Sequence, residues 1–270
     1  VAQVDFESYL MPLNAEGGFH TSFAFSTDRM PLTTTEEVEK YIRRLAGFRQ
    51  HADDHIALLR EGLAKGITQP RVILQGLPAQ VAPFLVASAE ESPFYQRLRE
   101  MPVTISAVER ERLQEEVRRA IEESVLPGYR AFREFLEETY LPGARGTIGA
   151  ADLPRGKAYY EQRVRYFTTL EMTPDEVYET GLTEVARIRA GMEAIIGEVG
   201  FAGDFAAFLN YLRTDPQFYA KTPEALLKEA AWLAKYVDGR LPELFNRLPR
   251  LPYTVAPVPD AIAPTYTGGR

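Results

Sequence analysis

No cysteine occurs in this chain, so disulfides, Cys-ligated zinc, iron–sulfur clusters and thiol nucleophiles are excluded. The compartment stays open, because disulfide-free proteins occur in oxidising spaces too. Basic charge is also short: 31 Lys and Arg against 38 Asp and Glu give a net charge of −7 and a pI near 5.2. A basic stripe for nucleic acid or an anionic membrane is therefore not expected, and no nucleic-acid partner is assigned. No apolar run approaches the roughly 18 residues of a spanning helix. Val1-Ala-Gln-Val-Asp5 lacks the charged and apolar regions of a signal peptide, and no transmembrane segment is expected. The chain has no Gly-x-Ser-x-Gly elbow, phosphate loop or dinucleotide fingerprint, and no repeat at a fixed period.

What is present is helix. Hydrophobic residues make up 45% of 270 positions, ample for a sizeable core. Thr34 with Glu37, Ser106 with Glu109 and Thr173-Pro174 with Glu176 each place a hydroxyl at an N-cap and a carboxylate three residues on; Thr222-Pro223-Glu224 repeats the theme. These starts predict helices near 35–47, 49–65, 70–88, 92–99, 106–126, 128–140, 156–170, 174–198, 204–213 and 223–240. Pro127-Gly128 predicts a break or sharp kink between two of them. Tyr178, Leu182, Val185, Ile188, Met192, Ile195 and Val199 recur at spacings of three and four, the pattern of a packed bundle helix. Trp232, Tyr236, Tyr159 and Tyr160 read as core aromatics on apolar helix faces. Strand signals are confined to Tyr253–Val258 and, weakly, Phe19–Phe25. The expected fold is all-α, a mostly helical bundle of several layers, with an extended Pro-rich C-terminal arm. Five prolines between Leu248 and Arg270 exclude helix there. Tyr253, Val255, Val258, Ile262 and Tyr266 in that arm need a surface, so the chain reads as the front part of something longer. Leu141–Arg155, rich in Gly and Pro, is the candidate sub-boundary (141–155) within 1–270.

Candidate sites are few. His51 and His55 share a helix face at the spacing of helix-borne zinc sites, but Ala52 follows the first histidine where a zincin needs Glu, and Asp54 precedes the second where the inverted motif needs Glu. The pair is rejected as a metal site, and no metal is assigned within the chain; an enzyme built on it is the least favoured reading. His20 follows Gly17-Gly18-Phe19, glycines that permit close backbone approach to a ligand, and is a candidate for substrate contact. Glu115-Glu116, Glu122-Glu123 and Glu137-Glu138 read as solvated faces balanced by arginines.

The ordered set Pro12-Leu-Asn-Ala-Glu-Gly-Gly18, Tyr41-Ile-Arg-Arg-Leu45, Gly156-Lys-Ala-Tyr-Tyr160, Gly181-Leu-Thr-Glu-Val185, Leu212-Arg-Thr-Asp-Pro216 with Phe218-Tyr219, and Phe245 through Pro249 and Tyr253 to Tyr266-Thr-Gly-Gly-Arg270 resembles a large bacterial family catalogued as a domain of unknown function, often lipoproteins or secreted proteins. That family is similar to helical zinc metallopeptidases of the thimet-oligopeptidase kind. The resemblance implies metal-assisted hydrolysis of short peptides in a deep cleft, with zinc held by a His-Glu-x-x-x-Gly-His-His type helix. That helix is not in this sequence, so the zinc is expected in the full-length family protein and no catalytic residue is assigned here. The resemblance also implies that Tyr266 and Arg270 contact substrate, that the protein is secreted, periplasmic or lipid-anchored, and that its partners are a short peptide and the missing C-terminal half. The alternative is a helical binding or scaffold domain without catalytic activity. The two readings differ at the surface: an incomplete half leaves an apolar patch of several hundred square ångströms exposed, and a complete scaffold buries it.

Overall fold

The computed structural model describes residues 5–258 and 263. Helix makes up 70% of it, and the described residues contain no sheet, only an isolated antiparallel bridge between Asn14 and Gly17. Two compact units divide between Glu171 and Met172.

The first unit contains α1 (Phe19–Asp28), α2 (Thr35–Ala46), α3 (Phe48–Lys65), α4 (residues 107–143) and α5 (Gly156–Thr168). The start of α2 follows from its sequence: Thr34 Oγ1 accepts from the Glu37 amide at 3.2 Å, and the Glu37 carboxylate accepts from the Thr34 amide at 3.1 Å. The stretch read as one helix over 70–88 is instead short turns, Arg71–Leu74, Leu77–Val81 and Ala82–Phe84. Pro78 and Pro83 each sit in the first two positions of a new turn, because neither can donate to a continuing one. The segment Phe19–Phe25 is helix, not strand; Phe19 and Phe23, one turn apart, are buried against Phe48 of α3 and Phe132 of α4, while Phe25 is exposed beneath Arg29.

Of the break or kink expected at Pro127-Gly128, no break occurs. Helix runs unbroken from 107 to 143 because two wide π-turns, Ile121–Val125 and Leu136–Tyr140, absorb the prolines. In each, the amide one residue ahead of proline donates five residues back, Leu126 to the Ile121 carbonyl and Leu141 to the Leu136 carbonyl. The wider turn gives the ring room where a regular turn would press it against a carbonyl. The two turns are a duplication at a separation of 15 residues, Ile121-Glu-Glu-Ser-Val-Leu-Pro-Gly128 and Leu136-Glu-Glu-Thr-Tyr-Leu-Pro-Gly143. Gly128 lies against Phe48 at the start of α3 and Gly143 against Leu63 near its end, so α4 and α3 run side by side in the same direction. Ser124, inside the first π-turn, donates to the Ala46 carbonyl and accepts from the Arg49 amide, both at 2.9 Å, closing the α2–α3 corner.

Aromatic rings fill the space these helices enclose. Tyr129 stacks on Phe84 at 4.5 Å and meets Phe48 at 4.4 Å, and Phe48 meets Phe23 at 4.3 Å. Tyr41, fully buried, donates to the Phe94 carbonyl at 2.9 Å and so ties α2 to the short turns. Tyr41→Phe leaves that carbonyl without its partner and is expected to cost about 1–2 kcal/mol, read as a lower urea midpoint at unchanged slope.

The 141–155 insert is tied down by two arginines. The Arg145 guanidinium donates to the carbonyls of Thr68, Thr147 and Gly149 at 2.7–2.9 Å, and Arg71 donates to those of Pro142 and Ala144, which fastens the loop to the first unit.

The second unit contains α6 (Pro174–Glu198), α7 (Phe205–Thr214) and α8 (Pro223–Asp238). Its helix starts follow the predicted caps: Thr173 and Glu176 form a reciprocal box, and Thr222 accepts from the Ala225 amide at 3.0 Å. Phe201, Phe208, Tyr211 and Phe218 make ring contacts with one another at 5.1–6.1 Å. Among the described residues of this unit, Ile196 alone is buried. The arm after Leu251 has neither helix nor strand through Val258, and the Tyr253 hydroxyl donates to Asp238 at 2.9 Å, holding it to α8. Ile262, Tyr266 and Arg270 lie outside the described residues.

Candidate functional site

Asn14 folds the chain back ahead of α1. Its side-chain oxygen accepts from the amides of Glu16 and Gly17 at 2.9 and 3.1 Å, and Gly17 takes φ +146°, a conformation side chains resist. A Cβ on Gly18 would sit 2.4 Å from Leu13 Cδ2, so glycine there lets α1 begin flush against Leu13. This is the physical content of the Pro12–Gly18 segment, and it carries His20 inward. The glycine pair predicts a loop histidine; the structure places His20 in the first turn of α1, wholly excluded from solvent. Its ring lies 5.1 Å from that of Phe132, and its backbone carbonyl accepts from the buried Tyr129 hydroxyl at 2.9 Å.

Both His20 ring nitrogens lack a hydrogen-bond partner, as does the adjoining Gln80 Oε1. Burial lowers the His20 pKa to about 4, against an opposing pull from the nearby Gln80 side chain. His20 is thus a neutral imidazole at physiological pH, held away from solvent.

His51 and His55 sit on the outer side of α3, with ring centroids 4.4 Å apart, and the His55 Nδ1 donates to the His51 carbonyl at 2.8 Å. Partial burial, then His55, lowers the His51 pKa. Phe19 touches all three histidines of the chain, stacking on His55 at 4.3 Å and meeting His51 and His20 at 5.6 and 5.8 Å. Sequence spacing gives no sign of that convergence. Among the described residues, no three His, Cys, Asp or Glu side chains come together as metal ligands, so the residues here do not fit a zinc site. Of the paired acids, Glu115 pairs with Arg118, Glu116 with Arg112 and Glu137 with Arg133, while Glu122, Glu123 and Glu138 are exposed to solvent without an ion pair among the described residues.

A shallow pocket of about 300 Å³ opens between Tyr95, Arg99, Arg110 and Gln114. None of the three histidines lines it. Two of its charged groups are engaged elsewhere: Arg110 donates to the Met101 and Pro102 carbonyls, and Glu90 pairs with Arg118 at 2.6 Å.

The most unusual surface is on α6. The stripe read as the seam of a packed helix is uncovered: Tyr178, Leu182, Val185, Ile188, Met192, Ile195 and Val199 are 45–67% exposed. Trp232, Tyr236 and Tyr160, read as core, are also about half exposed, while Tyr159 packs on Phe6 at 5.6 Å. Seven half-exposed side chains of roughly 150–200 Å² each leave on the order of 600 Å² of apolar face. Gly181 lies within that stripe, and a Cβ there would meet nothing within 4 Å. A mid-helix glycine costs about 1 kcal/mol relative to alanine, with no contact in this structure to offset it.

Comparison with known proteins follows the same lines. The description "bacterial protein of unknown function (DUF885)" matches residues 2–270. The chain belongs to the DUF885 family. A search of curated proteins returns no match. The solved structure of a putative lipoprotein from Colwellia psychrerythraea is similar to this DUF885 chain at a TM-score of 0.79 and 25% identity, over 89% of this chain and 42% of that one. The DUF885 chain therefore spans less than half the length of that relative. Among the described residues, no helix is long and apolar enough to cross a membrane.

Proposed function

We propose that this chain is the N-terminal, helical portion of a longer zinc metallopeptidase-like protein of the secreted, periplasmic or lipid-anchored kind, where it supplies one wall and part of the floor of a cleft that admits short peptides. The observation that carries the reading is the share of each chain in the structural match: 89% of this chain corresponds to only 42% of the relative. A longer protein leaves ample chain to hold the metal for which the residues here supply no ligand set. The ordered motifs resemble the bacterial family, whose similarity to helical zinc peptidases supports the reaction class, and the structural relative, a putative lipoprotein, supports the compartment. Within this portion the histidines pack or face solvent, Tyr266 and Arg270 are the proposed substrate contacts, and no step of catalysis runs through a metal held by these residues. Helical walls would admit short peptides and exclude folded chains.

The test compares the 270-residue chain with a longer protein that contains it. The longer protein is expected to hydrolyse short fluorogenic peptides and to lose that activity to a chelator. The 270-residue chain is expected to hydrolyse none and to retain no stoichiometric zinc after dialysis. Turnover by the short chain that survives purification and is abolished by chelator overturns the assignment.

A further inference from the structure

We propose that the apolar face of α6, which runs from Tyr178 to Val199, is the docking face for the part of the longer family chain that follows this portion, and that a helix of that part crosses α6 at Gly181. The proposal rests on the reading of this chain as an N-terminal portion. Three observations carry it. The exposed stripe, on the order of 600 Å², approaches the roughly 800 Å² per partner of a standard stable interface and reaches the upper limit of what a monomer leaves bare. Gly181, Gly191 and Gly197 on α6 each have open space over them, and of the three Gly181 falls within the apolar face, between Tyr178 and Leu182, where close approach of a second backbone would require a glycine. The relative is more than twice as long as the matched region, so the longer chain has residues enough to supply the covering helix.

The charges beside the stripe point to an apolar occupant. Glu184 pairs with Arg187 at 2.7 Å and Arg189 with Glu193 at 2.6 Å, both along α6 itself, so these charges do not await an ionic partner. The stripe advances 21 residues in six steps from Tyr178 to Val199, a period that suits a second helix lying along it.

Gly181→Ala separates this from its competitors through the sign of its effect. In the 270-residue chain the new methyl enters open space on a helix, and the thermal midpoint is expected to rise by about 2–4 °C. In the longer protein the same methyl meets the crossing backbone, and the midpoint is expected to fall. Leu182→Asp, read by a hydrophobic dye, is the second variant: the short chain is expected to bind dye less, and the longer wild-type protein to bind little at all. A midpoint that rises in both proteins overturns the proposal. So does a short chain that sediments as a dimer and dissociates on Leu182→Asp, since the face then belongs to a second copy. Opposite signs in a longer protein that hydrolyses no peptide would leave docking in place and remove the peptidase reading. Equal signs in an active one would do the reverse.

Discussion

Lowering the pH from 6.5 to 4 is expected to remove about 3 kcal/mol of stability through His20 alone. The ring is neutral in the folded chain because its pKa lies near 4, against 6.5 when exposed. Between those values the unfolded chain binds a proton that the folded chain refuses, so unfolding gains as acid is added. The contribution is fully present above pH 6.5 and gone below pH 4. Glu36, Glu37, Glu90, Glu109 and Glu176 have pKa values held below 4.5 by ion pairs or hydrogen bonds, so their losses begin only further into acid. The interval from 6.5 to about 5.5 therefore isolates histidine, since a carboxylate that titrates at 4.5 when unfolded begins to count about one unit above that value. His20→Leu, similar in bulk and unable to titrate, should flatten urea midpoints across that interval apart from the smaller slope that His51 supplies in the same sense. A His20→Leu variant with the wild-type slope would show that the ring is hydrated or partnered in solution.

Gly128→Ala and Gly143→Ala are expected to differ although the two glycines close the same repeated segment. A Cβ on Gly128 would lie 2.8 Å from Phe48 Cδ1 and 3.4 Å from the Arg49 backbone. Phe48 is wholly buried and wedged between Phe23 and Tyr129, so it has nowhere to go. The cost is about 2–3 kcal/mol, the range of an overpacked core. A Cβ on Gly143 would lie 2.9 Å from Leu63 Cδ2, the free end of a side chain that is only partly buried and can rotate away. That substitution should cost less than about 1 kcal/mol. Equal losses in thermal unfolding would mean that both glycines serve the π-turns rather than the contact with α3.

The helical class and most element starts were legible because capping is local. Thr34 with Glu37 and Thr173 with Glu176 each make their reciprocal bonds without help from the rest of the molecule. The course of α4 was not legible, since Pro-Gly signals a break and only the wide turn ahead of it, a property of five backbone units together, shows how helix continues. The start of α1 was missed for a related reason: Gly18 offers no capping side chain, and alternating aromatics look like strand. Periodicity told correctly which residues of α6 share a face and said nothing of whether anything covers them. The site fared least well. His20 follows a glycine pair, which reads as a surface loop, and its burial depends on Phe132 and Tyr129, more than a hundred positions away.

The wide turn at Ile121–Val125 holds one residue more than the ordinary pitch needs, so the helix keeps the same phase on either side of it. Deleting a single residue between 121 and 125 would therefore leave Tyr129, Phe132 and Phe135 facing the interior. The loss would fall on Pro127, whose ring would then press on the carbonyl one ordinary turn back. A chain shortened by that position would keep its large side chains in place and bend where it now passes the proline straight.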